Sequence, residues 1–351
     1  MRFIVSYHKF DSSLIKMNLL NFQLEELDNR NKNIDFYKGI LMWGVIYGHL
    51  MKAINMGFCS HMDFFYAFMR VFDMPFFMIL SGFFLNKGLS KKSVKELLAD
   101  KTSMILFPII IWTLCAGQLS ITKYYFLWAA YICSIICILT RWISSFFSSK
   151  WSRIMEFAIY AALVVILYII YIPWNLFYLF PFFIFGLTIN DINFKVNHFK
   201  FLFVVFVLGF CFWKADYTPW NMGYDAWMSD KYIIIIYLYR SILAILGVYV
   251  VARILTFVNV GRISGRITLC GRETLAIYIL QSFVVERFFT NFMYNQVLWR
   301  NISLSQTEWN IIGYIVVPII ALCLLYVLYS IISIIRKYKY SKWLFGFKLK
   351  V

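Results

Sequence analysis

The 351 residues are 62% hydrophobic and 21% aromatic, only 15% are charged, and the formal net charge is +17. A composition this apolar excludes a water-soluble globular domain and predicts a helical membrane protein in contact with lipid. The positive excess does not point to nucleic acid, because Lys and Arg sit in short clusters between apolar runs, as in the cytoplasmic loops of membrane proteins.

Residues 1–33 alternate charged and apolar side chains and lack the continuous apolar segment of a signal peptide. They read as a cytosolic tail, with Met17 as an alternative start. A hydrocarbon core about 30 Å thick takes roughly 20 apolar residues per helix. Ten apolar runs follow, at 36–53, 64–85, 104–119, 124–139, 154–172, 175–188, 199–213, 232–257, 267–289 and 311–335. They predict an all-α polytopic transmembrane bundle of about ten helices over residues 34–336, followed by a basic cytosolic tail, 337–351. With the amino terminus inside the cell, both tails and the loops near 87–101, 141–153, 195–200 and 253–272 share one side. These segments hold most of the 34 Lys and Arg residues, so both termini are expected in the cytoplasm.

The longer outer loops, 214–231 and 291–310, carry Trp, Tyr, Asn and acidic residues, which suit an interfacial aromatic belt or stacking on a sugar ring. The cysteines lie mostly in apolar runs without a CxxC pair and read as small apolar packers, so no metal is expected. No internal repeat or matched pair of Gly/Pro-broken helices supports a transporter.

The first run reads NIDFYKGILMWGVIYGHL. Lys38 and His49 are eleven residues apart, which at 100° per residue returns to within about 20° of the same direction, roughly 16 Å along the axis. Asp35 and Met42 fall near the same stripe. An ionisable residue within a span tends to face the protein interior. An imidazole there can take and return a proton near neutral pH, or can serve as an interhelical hydrogen-bonding group. Lys38 can bind phosphate or snorkel to the headgroups.

In the second run Arg70 and Asp73 are three apart and share a face, at a depth similar to His49; a structural ion pair and a role in orienting His49 or the acceptor are both open. Pro75 removes a helix hydrogen bond, while Ser81 and Gly82 permit close packing. Arg240 lies alone in the eighth run, as a counter-charge for an anionic group or a partner of an unidentified carboxylate. In the ninth, Arg272 and Glu273 mark the inner interface and Tyr278 and Gln281 share a face.

Three segments resemble the acyltransferase 3 family of integral membrane acyltransferases, which includes sugar O-acetyltransferases. DFYKGILMWGVIYGH is similar to the family's basic residue, ten residues, then His; FDMPFFMILSGFF is similar to FHMPLFFFLSGF; GRETLAIYILQ is similar to GxxSLxIYLLH. LFPIIIW (106–112) and YLFPFFIFG (178–186) extend the resemblance. Asp73 and Gln281 stand where the family frequently has histidines, which leaves His49 as the obvious intramembrane base, and Lys95 and Lys101 remain of a thinner basic cluster before the third helix. The resemblance implies an acyl-CoA donor, most often acetyl-CoA, entering from the cytoplasm, and a carbohydrate acceptor presented near the outer leaflet. It implies donor binding by Lys38 and catalysis by His49; Asp35, Arg70, Asp73, Ser81, Arg240, Glu273, Tyr278 and Gln281, read from their own positions, are the candidate supporting residues. The rival readings are a transporter or flippase for a lipid-linked glycan and a non-catalytic membrane partner of a polysaccharide assembly complex.

Overall fold

A computed structural model describes residues 32–55, 64–115, 124–170, 176–189, 198–213, 233–258, 262–289, 305–338 and 341–346. Every regular element among them is helical. They are α1 (Lys32–Asn55), α2 (Phe64–Leu89), α3 (Val94–Cys115), α4 (Tyr125–Ser144), α5 (Ser149–Ile170), α6 (Leu176–Thr188), α7 (Phe199–Cys211) and α8 (Ile233–Val258). Then come α9 (Arg262–Arg272), α10 (Thr274–Gln281, running into the π segment Ser282–Phe289), α11 (Gln306–Ile311, a π turn Ile312–Val316, then Val317–Ile335) and α12 (Ser341–Phe345). The amino-terminal tail through residue 31 and the two long outer loops, apart from a few boundary residues, lie outside the described residues.

Each of the ten apolar runs is mainly helical where described, and among the described residues five helices are long and apolar enough to cross a membrane. These are α2, α3, α4, α8 and α11. Their burial sorts them: 83% of the apolar window of α2 is inside the protein, against 17% for α3 and 28% for α11. Helix α2 is therefore central, and α3 and α11 are peripheral. On α11, Val317, Ala321, Leu325, Leu328 and Ile332 form a buried stripe at helical spacing, while Ile315, Ile319, Val327 and Ile334 face outward. Outward apolar side chains with every backbone group held inside a helix are what a lipid-facing surface requires.

Two helix pairs approach so closely that only glycine fits. Helix α2 packs most extensively on α6, where a Cβ on Gly82 would strike the Phe183 carbonyl and one on Gly186 the Ile79 carbonyl. Helix α1 packs along α9, where Gly39 meets the Ile267 carbonyl and Gly271 the Asp35 carbonyl. Between apolar helices in lipid, such contact is driven by packing rather than by release of water.

Three expectations are revised. The charged segment 253–272, read as a loop, contains α9, whose Ser264, Ile267, Thr268, Cys270 and Gly271 form a buried face opposite exposed Gly265 and Arg266. The ninth helix does not run unbroken from 267; it divides at Glu273, whose backbone leaves helical geometry (φ −101°, ψ 24°). The third begins ten residues early, at Val94, because Ser93 and Glu96 form a reciprocal capping box. The sequence offers no signal for α12, which folds back onto α3: the Trp112 indole donates to the Leu344 carbonyl (2.8 Å) and Phe345 is buried. The chain leaves α12 through Gly346, at φ +66° against the Met104 carbonyl, a conformation and clearance that favour glycine.

Candidate active site

Helix α1 builds the site from one stripe. Its amino-terminal end is polar and its middle is sealed by Leu41, Met42, Val45 and Ile46, all fully buried. The Trp43 indole anchors the helix to α11 by donating to the Pro318 carbonyl (3.0 Å). Lys38 and His49 are each half-buried at opposite ends of this sealed stretch.

At the amino-terminal end, Asp35 is buried, with Lys38 Nζ 3.6 Å from Oδ1 and Arg272 Nε 3.6 Å from Oδ2. The seat of Gly271 against the Asp35 backbone brings Arg272 here. Arg253 of α8 lies within electrostatic reach of the neighbouring Tyr37. Glu273 turns the other way and pairs with Arg336 at the end of α11, so the break between α9 and α10 is tied to α11.

At the level of His49, α2 supplies charge. Arg70 Nη1 is 2.9 Å from Asp73 Oδ2, both side chains are buried, and Asp73 Oδ1 accepts from the Met74 N–H (2.7 Å). The Arg70 guanidinium lies over the Tyr66 ring (5.1 Å to its centroid) and against Gly48, where a Cβ would collide with it. His49, the next residue, is within electrostatic reach of Asp73. The structure thus brings Arg70, Asp73 and His49 together. Pro75 sits inside α2 two residues after Asp73.

A second buried cation joins from α8. Arg240 stacks over Tyr178 of α6 (4.9 Å), and Tyr178 in turn feels the charge of Asp73. Sequence spacing has no way to find Tyr66 or Tyr178, which are aromatic residues among many.

The remaining residues divide. Ser81 is spent within α2, donating to the Phe77 carbonyl (2.8 Å). Tyr278 packs its ring against Phe126 of α4 (5.9 Å between centroids). Gln281 is fully buried, and neither its amide oxygen nor its nitrogen has a hydrogen-bond partner among the described residues. Such a group costs about 1–3 kcal/mol unless something satisfies it. It stands at the start of the π segment, a distortion frequent at functional sites.

A base beside a buried ion pair, with cations at the far end of the same helix, is chemistry suited to proton transfer at one level and anion binding at another. The family model described as an acyltransferase domain matches residues 31–119. That segment is similar to an acyltransferase domain. The match covers α1, α2 and α3, hence Asp35, Lys38, His49, Arg70, Asp73 and Ser81, and agrees with the resemblance read from the sequence. Nodulation protein NolL of Mesorhizobium japonicum is 30% identical over 132 residues, 31% of this chain and 35% of that protein, so the similarity spans about a third of that relative's length. Nodulation protein NolL of Sinorhizobium fredii is 25% identical over 296 residues, 73% of this chain and 78% of that protein. No solved structure matches the chain. The apolar helices and the match over residues 31–119 together support a membrane protein similar to acyltransferases.

Proposed function

We propose that this protein is a membrane acyltransferase that moves an acetyl or other acyl group from cytoplasmic acyl-CoA to a hydroxyl of a surface polysaccharide or glycan precursor. It works in the inner membrane as a multi-pass protein of about ten crossings with both termini in the cytoplasm. The amino-terminal tail 1–33 and the basic tail 337–351 flank the transmembrane domain. The observation that carries this reading is the placement of Lys38 and His49 on one helix of the matched segment, with the Arg70–Asp73 pair at the level of His49.

Lys38 meets the donor's phosphates at the inner end. His49 removes the proton from the acceptor hydroxyl as its oxygen attacks the thioester carbonyl carbon. The C–S bond then breaks, and the CoA thiolate takes up the proton from the imidazolium. In the two-step version the imidazole attacks first, CoA leaves as thiol, and the acyl-imidazole passes its group to the hydroxyl. Asp73, buried and paired with Arg70, favours the imidazolium formed on the way.

The test is transfer of labelled acetyl from acetyl-CoA to surface glycan in membranes, with protein amounts equalised. Transfer that depends on the protein and on His49 supports the proposal. Its absence, with label or glycan moving across the membrane instead, would favour a transporter.

A further inference from the structure

We infer that Arg272 is a second arm of the phosphate-binding site, opposing Lys38 across Asp35; the inference rests on the donor reading above and extends it to α9, outside the matched domain. Asp35 presents one oxygen to each cation at 3.6 Å. That is too long for a hydrogen bond, so the pairing is electrostatic. Arg272 Nε is buried and makes no hydrogen bond among the described residues. Nε faces Asp35, and the side chain is 18% exposed, so a phosphate oxygen would engage the guanidinium through its other N–H groups.

Exposure points the same way. The Lys38 and Arg272 side chains are 17% and 18% exposed, while Asp35 is 2% exposed beneath them. An anion arriving at this end therefore meets two positive heads and not the carboxylate that holds them. Asp35 sets their spacing and leaves the trio with a net positive charge. Arg suits this role because its planar fork engages a phosphate through parallel N–H donors, where Lys offers a point charge.

The position of Arg272 is also over-determined. Gly271 seats the end of α9 on the Asp35 backbone, and Glu273 on the other side is held by Arg336. Arg272 is thus presented to the stripe by contacts on both of its neighbours.

A phosphate ester can come from coenzyme A or from a lipid headgroup, and the experiment separates them. The full chain is placed in phosphatidylcholine nanodiscs and titrated with coenzyme A, then with pantetheine, which lacks every phosphate. Arg272→Ala and Lys38→Ala should each weaken coenzyme A binding about 10- to 100-fold, with Arg272→Lys in between and pantetheine binding unchanged. Thermal unfolding checks that each variant is folded, and Arg272→Lys stands in if the alanine variant is not. Undiminished coenzyme A binding by a folded Arg272 variant, with Lys38→Ala impaired, would overturn the role of Arg272 and leave the donor reading intact. No coenzyme A binding by the unaltered chain would remove the donor reading, and this inference with it. Equal loss of pantetheine and coenzyme A binding in Arg272→Ala would mark a structural residue. Loss only of a preference for phosphatidylglycerol nanodiscs would make the ligand a lipid headgroup and overturn the donor assignment of Arg272.

Discussion

Helix α1 serves two charged clusters that differ in almost every physical respect. The inner one, Asp35 with Lys38 and Arg272, is held by contacts of 3.6 Å, and both cations remain partly exposed. The one near His49, Arg70 with Asp73, is closed at 2.9 Å with side chains 5% and 0% exposed. Loose, half-open pairs exchange partners with an arriving ion at little cost, whereas a sealed pair is expensive to break and holds its geometry. On the proposed function, the first trades ligands and the second holds a neighbour. His49 borders the second.

The largest effect expected from breaking this contrast is at His49. His49→Ala should lower acyl transfer by about 100- to 10,000-fold, the usual loss for a positioned base, while insertion and accumulation stay normal. His49→Gln can still hydrogen-bond but cannot carry a proton, so it should be equally inactive. Near-normal transfer by the glutamine variant, measured with labelled acetyl-CoA, would return His49 to a packing role.

Next comes the sealed pair itself. Asp73→Ala leaves the buried Arg70 guanidinium without its carboxylate and should destabilise the protein by about 3–5 kcal/mol. Replacing both partners together, as Arg70→Met with Asp73→Leu, should recover much of that stability but not the activity, because His49 loses its charged neighbour. Thermal unfolding in detergent, alongside transfer, separates the two. A double variant with full activity would show that the pair does not act on His49.

A smaller effect tests how the open cluster is assembled. Gly271→Ala pushes a methyl group into the Asp35 carbonyl and Gly39 nitrogen, so α9 must shift. A cost of about 1–3 kcal/mol is expected, as for other overpacked sites. Weaker binding of coenzyme A should accompany it. A less stable variant with unchanged coenzyme A affinity would show that the seat of α9 does not position Arg272.

How much of this is legible in the sequence follows from which forces leave a periodic trace. The stripe of α1 is readable because Lys38 and His49 obey the 100° rule, and Arg70 with Asp73 because residues three apart share a face. Helix α9 escapes because its arginines resemble loop charges, although Ser264, Ile267, Thr268, Cys270 and Gly271 already carry helical spacing. The division at Glu273 and the π segments depend on packing against other helices, and no local residue announces them. The meeting of Gly39 with Ile267, or of Arg240 with Tyr178, joins residues far apart in the chain, and one sequence holds no record of such pairing. Gly82 stands out beside Ser81 as a site of close packing, but nothing local marks Gly186 as its partner.

The smallest effect on stability belongs to Lys38, and it sharpens the comparison most. In Lys38→Ala the remaining carboxylate of Asp35 keeps Arg272 at 3.6 Å, so no buried charge is stranded. The Lys38–Asp35 pair that disappears is itself 3.6 Å long, beyond hydrogen-bonding distance, and Asp35 keeps Arg272 as its counter-charge, so the loss of stability is expected to be small. The same substitution removes half of the positive charge offered to a phosphate. Stability and donor affinity should therefore separate: an unfolding temperature close to that of the unaltered chain, with an apparent KM for acetyl-CoA raised about tenfold or more. Lys38→Arg keeps the charge and should restore most of the affinity. The opposite pattern, a large drop in stability with an unchanged KM, would mean that the inner cluster is a structural lock like the one at Asp73, and that the donor binds elsewhere.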